Sequence, residues 1–339
     1  MEHARFWEEA EGGKVRCVLC PHRCLIADGK VGFCGVRKNY GGRLISLVWG
    51  RSCAANVDPI EKKPLFHFHP GTTAYSIATV GCNLRCRFCQ NSDISQYPLE
   101  TGRITGDEFP PADVVASAVR AGCRSISYTY TEPTVYLEYV LDTAAIARDR
   151  GLFNTMISNG YTSIDVISGE LRGTIDAVNI DLKAFTEGFY KKLCSARLSP
   201  VLEAIQAYHD AGVWIEVTTL VIPGENDSDA ELRDMASFIG SVSPDIPWHI
   251  SRYYPRYHYD GAPPTPVSTL ERAREIGLSE GLHFVYTGNV VGHEGEHTSC
   301  PACGKLLIAR RGFSIEKNAM KGSACGYCNH AIPGRFSEP

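Results

Sequence analysis

Long apolar runs and an excess of charge of one sign are both missing from this 339-residue chain. No apolar stretch approaches the roughly 18 residues that a membrane-spanning helix needs. The N-terminal stretch MEHARFWEEAEGGK is charged throughout and has no apolar core of the secretory kind. A cytoplasmic location, away from membranes, is therefore expected. Lysine and arginine number 34 against 38 aspartate and glutamate, a net charge of −4. That balance gives no field to gather a polyanion, so nucleic acid is disfavoured as a partner, a local patch excepted. What the chain does have is bulk. With 44% of its residues hydrophobic, it can bury one large core and carry one or two small modules.

It also has 14 cysteines, and most of them cluster. Cys17, Cys20, Cys24 and Cys34 read C-x2-C-x3-C-x9-C. Cys82, Cys86 and Cys89 read C-x3-C-x2-C. Cys300, Cys303, Cys325 and Cys328 read C-x2-C-x21-C-x2-C. Disulfide scaffolds belong to short secreted chains, so in this context close-spaced cysteines are metal ligands. Cys53, Cys123 and Cys194 stand apart and are expected to be small buried residues. The groups also mark out three regions: a Cys-rich N-terminal module over 1–70, a core over 71–292, and a zinc-ribbon-like module over 293–339.

In the core, apolar β-rich runs alternate with helical patterns. The runs are AYSIATVG (74–81), SISYTYTE (125–132), FNTMISNG (153–160), AVNIDLKA (177–184), WIEVTTLVIP (214–223), PWHISRYYP (247–255) and HFVYTGN (283–289). Between them, segments such as PADVVASAVRAG and LSPVLEAIQAYHDAG show helical apolar spacing and end on glycine. Repeated β-then-α units imply a parallel sheet with helices outside, curled into a full or partial barrel. In such a barrel the C-terminal ends of the strands build the active site. The first run ends in Cys82, the second in Thr131, Glu132 and Pro133, and the third in Ser158, Asn159 and Gly160. The fourth carries Asp181 and Lys183, the fifth ends in PGEND (223–227), and the sixth holds His249 and Arg252.

Three thiolates within GCNLRCRFCQN leave one iron of a four-iron cubane without a protein ligand. An open iron suits a cluster that binds a substrate or cofactor directly, whereas a structural or electron-transfer cluster normally has four protein ligands. A zinc ion completed by a ligand from elsewhere is the alternative.

On these residues the chain resembles the radical S-adenosylmethionine (SAM) superfamily, whose signature is C-x3-C-x2-C with an aromatic before the last cysteine, here Phe88. The resemblance implies an α/β fold of the partial (β/α)6 TIM-barrel type. It also implies a [4Fe-4S] cluster on Cys82, Cys86 and Cys89 whose free iron chelates SAM. The reduced cluster would cleave SAM to a 5′-deoxyadenosyl radical that takes hydrogen from a substrate. The protein's share is positioning and exclusion of water. An external one-electron reductant of flavodoxin or ferredoxin type is implied as well.

Other site residues follow from the resemblance. Thr131, Glu132 and Pro133 are similar to the Gly-Gly-Glu-Pro segment that holds the SAM amino group, with Tyr130 and Thr131 in place of the glycines. Ser158 and Asn159 would lie near the SAM carboxylate or ribose. Asp181 and Lys183 resemble the Asp-x-Lys element of pyruvate formate-lyase-activating enzymes, and Thr219 and His249 would face the nucleoside. An anionic Glu132 for the ammonium and a cationic Lys183 for the carboxylate are chemically coherent.

CVLCPHRCLIADGKVGFCGVR, NVDPIEKKPLFHFHPGT and the CPACGKLL…CGYCNHAIPGR tail together resemble the radical SAM component of the AmmeMemoRadiSam system. That implies Memo-like and AMMECR1-like companion proteins. The last cysteine group has the two C-x2-C knuckles of a zinc ribbon, and a module of about 40 residues needs such a staple. The first group supplies four thiolates for zinc or an auxiliary cluster, with zinc favoured because the segment lacks a core of its own.

Two segments remain. His67 and His69 alternate in PLFHFHPG beside Lys62 and Lys63, as an anion- or metal-binding edge or as a solvated loop. RYYPRYHYDGAPPTP (252–266) reads as a lid or a rigid connection. Three functions are open: an oxidoreductase-like radical SAM enzyme acting on an unidentified substrate, a glycyl-radical-enzyme activase, and a non-enzymatic metal module that binds a partner.

Overall fold

The structure, a computed structural model, describes residues 2–336. The ends of the two expected terminal modules, residue 1 and residues 337–339, lie outside the described residues. Its centre is an eight-stranded sheet: β1 (Ala54–Pro59), β2 (Thr73–Ala78), β3 (Ser125–Tyr128), β4 (Phe153–Ser158), β5 (Ala177–Asp181), β6 (Trp214–Val221), β7 (Trp248–Arg252) and β8 (Val285–Gly288). Spatial order follows chain order. From β2 to β8 every pairing is parallel, while β1 runs antiparallel to β2 and forms one edge. β1 and β8 do not pair with each other, so the sheet stays open as a partial barrel.

Parallel neighbours need crossovers, and helices supply them. They are α1 (Pro111–Arg120), α2 (Leu137–Asp149), α3 (Ser199–Asp210), α4 (Asp229–Val242) and α5 (Val267–Ser279), with short helical turns over 164–171 between β4 and β5. Six strand-to-helix units are thus completed by a seventh parallel strand. Local chemistry sets the helix ends. Ser228 accepts the Glu231 amide to cap α4, and α1 opens on Pro111, whose missing N–H would have had no partner. The residues of β3 are buried on both faces, as a sheet covered by helices requires.

The N-terminal residues form short antiparallel strands, including Lys14–Cys17, Arg37–Tyr40 and Arg43–Ser46. Their Val15, Val36 and Leu44 belong to the same apolar core as Ile126, Met156 and Val217 of the barrel. The join is anchored by buried Arg37, which donates to both Glu138 oxygens of α2 at 2.8 and 3.0 Å. The C-terminal residues form a sheet of Thr298–Ser299, Leu306–Arg311 and Ser314–Asn318.

This tail closes the barrel at the N-terminal ends of the strands. Phe66, Phe284 and Tyr286 pack there with Leu307, Ile308 and Ile332. His67 lies within this floor, neither solvated nor open to a metal. Its ring nitrogens contact the Tyr286 hydroxyl at 2.6 Å and the Pro333 carbonyl at 2.7 Å. His69 is buried and stacked on Phe153. The opposite end, where the strands terminate, carries the remaining polar residues.

Candidate active site

The cysteine loop leaves β2 through Thr79, Val80 and Gly81. Gly81 has φ of 102°, and a Cβ on it would lie 2.6 Å from Val36 Cγ1. Only glycine fits that turn against the N-terminal strands. The loop is then pinned from across the barrel. Arg85 N donates to Cys194 O and Arg87 N to Leu193 O, each at 2.9 Å. Phe88 is buried beside Phe189, with ring centroids 5.7 Å apart.

Within the loop the three thiols experience different fields. Burial pushes Cys82 well above the ordinary thiol range, and the Glu132 charge and the other two cysteines add to it. Cys86 is pulled below that range, chiefly by a hydrogen bond from the Cys194 thiol. Cys194 is therefore an immediate neighbour of the triad. No spacing rule could have found it, because 105 positions of folded chain separate it from Cys89.

Glu132 is the hub of the next layer. Its Oε1 accepts from Thr134 N at 3.0 Å, Thr134 Oγ1 at 2.6 Å and Ser158 Oγ at 2.9 Å. Its Oε2 accepts from Asn159 N at 2.8 Å. Burial raises its carboxyl above the usual range while these donors work against the rise. Asn159 Nδ2 lies 2.8 Å from Asn83 Oδ1 and 3.6 Å from Cys82 Sγ, which ties the hub to the loop. Cys82, Glu132, Ser158 and Asn159 thus form one connected group.

Tyr130 adopts φ of 63°, a left-handed conformation in which glycine is at ease and tyrosine is strained. The strain is held by contacts on three sides. The Tyr130 hydroxyl donates to Asp58, its carbonyl accepts from Asn91 Nδ2 at 2.7 Å, and Lys63 Nζ sits 4.4 Å from the ring centroid.

Asp181 and Lys183 pair at 2.8 Å where β5 ends, and Lys183 Nζ is 6.0 Å from the Phe88 ring centroid. Burial opposes the Lys183 charge, but Asp181, Cys86 and Cys194 outweigh it and hold the ammonium well above its ordinary range. This second group therefore adjoins the cysteine loop from the other side.

Thr219 and His249 are placed elsewhere. Thr219 donates to Leu182 O at 2.8 Å, accepts from Trp248 Nε1 at 2.9 Å and touches Met235 of α4. Side chains alternate along a strand, so it faces the helices and not the lumen. His249 lies deeper, 2.6 Å from Glu216 Oε2 and stacked on Tyr286 of the floor. Burial raises the Glu216 carboxyl, but His249, His67 and the backbone around them bring it below its usual range. This buried network joins β6, β7 and β8 to the floor.

The segment after β7 crosses the mouth. His258 N donates to Arg87 O at 2.9 Å, Gln90 Nε2 to Tyr254 O at 3.3 Å, and the Tyr259 hydroxyl to Glu225. It therefore touches the cysteine loop on one side and the loop after β6 on the other, as a cover would.

The two outlying cysteine groups differ in form. Cys300, Cys303, Cys325 and Cys328 place all four sulfurs within 4.8 Å of one another, with Cys300–Cys328 at 3.7 Å and Cys303–Cys325 at 3.8 Å. A tetrahedral zinc with Zn–S of about 2.3 Å requires sulfurs about 3.8 Å apart, so this set fits one ion. Cys17, Cys20, Cys24 and Cys34 lie behind the cysteine loop, with Cys34 O 3.2 Å from a Cβ built on Gly81.

Residues 76–236 match the family described as the radical SAM superfamily. An uncharacterised protein of Methanocaldococcus jannaschii is 47% identical over 335 residues, covering 98% of this chain and 99% of the relative. A protein of the same archaeon named as a glycyl-radical enzyme activating enzyme is 25% identical over 207 residues, 60% of this chain and 76% of its own. The pyruvate formate-lyase-activating enzyme of Listeria monocytogenes is 23% identical over 168 residues, 48% of this chain and 67% of its own. Among solved structures, a radical SAM methyltransferase from Sphaerobacter thermophilus shares the fold at a TM-score of 0.52 and 17% identity, covering 70% of this chain and 71% of that one.

Proposed function

The chain belongs to the radical SAM superfamily, and from that premise we propose that Cys82, Cys86 and Cys89 carry a [4Fe-4S] cluster at which SAM is bound and reductively cleaved. The observation that supports this reading most is the convergence of two charged groups on a three-cysteine loop: the Glu132 hub, linked to Cys82, and the Asp181–Lys183 pair beside Phe88. Three thiolates suit a cluster with one open iron. When bound, SAM and the reduced cluster together supply a 5′-deoxyadenosyl radical that takes a hydrogen atom from substrate.

The chain's own residues then have definable tasks. As a carboxylate, the form its four donors favour, Glu132 can take an ammonium on Oε2, which has one donor against three on Oε1. Lys183 is the cation for a carboxylate, steered by Asp181. Ser158 and Asn159 hold Glu132 in place and present the β4 loop to the nucleoside. The 253–265 segment excludes water, which would otherwise quench a radical. Thr219 and His249 serve packing and the floor, on the contacts given above.

Reduced, cluster-loaded protein should convert SAM to 5′-deoxyadenosine and methionine, and Cys86→Ala should abolish it. No cleavage by the wild-type protein with a competent flavodoxin- or ferredoxin-type reductant would refute the reading. A second reading, activation of a glycyl-radical enzyme, is favoured by the names of two relatives; it requires a glycyl radical signal in a partner.

The modules outside the shared core favour membership of the AmmeMemoRadiSam group, with Memo-like and AMMECR1-like companions, and a cytoplasmic setting. The tight tetrad of Cys300, Cys303, Cys325 and Cys328 supports zinc there.

A further inference from the structure

Behind the cysteine loop, Cys17, Cys20, Cys24 and Cys34 line one shared cavity. A single ion draws its four sulfurs together, as those of the C-terminal tetrad are drawn. Among the described residues, that tetrad is the one set of three or more potential ligands drawn within 4.8 Å. The N-terminal four are wider, and so is the triad of Cys82, Cys86 and Cys89. In a cubane each thiolate sits on its own iron, which holds the sulfurs farther apart than a shared ion does.

A peptide donor is already aimed at one of the sulfurs. Phe33 N lies 3.4 Å from Cys24 Sγ. An independent sign is Arg37, which also lines the cavity. Its two terminal nitrogens are taken by Glu138, but its Nε is buried without a partner. A buried donor left unpaired is costly, and a bridging sulfide would satisfy it.

We propose that these four cysteines hold a second [4Fe-4S] cluster, sharing a wall with the first. The wall is visible in Asn83 and Thr134, which line the cavity. On their other side they bond Asn159 and Glu132, the residues around Cys82. Four thiolates leave no iron open, so this cluster does not bind SAM. Its role, which rests on the proposed function, is electron transfer. It takes one electron from a ferredoxin- or flavodoxin-type reductant and passes it to the cluster on the triad, with no bond made or broken.

The test is metal and sulfide analysis, with electron paramagnetic resonance, on anaerobically reconstituted full-length protein and on a Cys82→Ala, Cys86→Ala, Cys89→Ala triple variant. The wild type should hold about eight irons and the triple variant about four, with a reduced signal in the variant that SAM does not alter. A Cys20→Ala, Cys24→Ala variant should retain about four irons whose signal does respond to SAM. A triple variant with no iron and about two zincs per chain overturns the proposal. Because that variant leaves all four N-terminal ligands in place, the result does not depend on whether a damaged N-terminal module folds. Failure of the proposed function would read differently: two clusters present and neither signal responsive to SAM.

Discussion

At the scale of single residues, Glu132 concentrates the most chemistry in the least space. Four donors from three residues converge on it, so they orient its carboxyl and favour the carboxylate form before any ligand arrives. Glu132→Gln keeps the shape but turns an amide donor toward either Asn159 N–H or the Thr134 donors. Loss of a charge-assisted contact in a buried site corresponds to about a 10–100-fold weaker SAM affinity, measurable by equilibrium dialysis on cluster-loaded protein. Iron content should not change, and an unaltered affinity would remove Glu132 from the site. The residue was legible in the sequence because it follows a strand and precedes proline. Cys194 was not, since its partner Cys86 is brought to it only by the fold. Tyr130 shows a third case. Its place in the motif could be read, but the positive φ is maintained by Asp58, Lys63 and Asn91, which come from distant segments.

At the scale of elements, the seven parallel strands were readable as apolar runs, and every run began within two residues of its strand. The ends were less accurate. The run 125–132 extends past β3, which stops at Tyr128, and 177–184 extends past β5, which stops at Asp181. The excess residues are the buried loops of the candidate site, which look like strand because they too are shielded from water. The opposite error left out β1: AANVDP is exposed at Ala55, Asn56 and Val57, and its one buried residue is Asp58, so it carries no apolar signal. Gly81 is where two elements meet. Gly81→Ala combines a left-handed φ with a collision against Val36 and should cost about 1–3 kcal/mol, read as a lower midpoint in chemical denaturation. Adding Val36→Ala removes the collision and should recover part of the loss; no recovery would show that the contact is unimportant. In the tail, Cys303→Ala should reduce zinc by about one ion per chain and make residues 293–336 susceptible to protease, with triad iron retained. Unchanged zinc would contradict the assignment of that module.

At the scale of the whole molecule, the barrel is closed below by the C-terminal tail and backed by the N-terminal strands. What neither composition nor spacing could show is that the floor is polar inside. His67 is fully buried, and burial lowers it from an ordinary 6.5 to about 4. Its folded pKa lies below the unfolded one, so between these values the unfolded chain binds the proton and the folded chain does not. Stability should therefore fall as pH drops from 6.5 toward 4, by about 3 kcal/mol from this group. Comparing the pH dependence of denaturation midpoints for wild type and His67→Gln isolates it, and equal slopes would rule the histidine out. The His67 and Glu216 contacts link the 60–71 segment, the strands and the tail, so this acid sensitivity belongs to the assembled barrel.

Both the Glu132 hub and the Lys183 pair border the three-cysteine loop, and the function proposed for them requires SAM to reach an iron of that loop. The most direct measurement is the electron paramagnetic resonance spectrum of the anaerobically reduced wild-type protein with and without SAM. The expected result is a signal that shifts on adding SAM and is absent when Cys82, Cys86 and Cys89 are replaced by alanine. A reduced cluster on those cysteines whose spectrum is the same with and without SAM would contradict it.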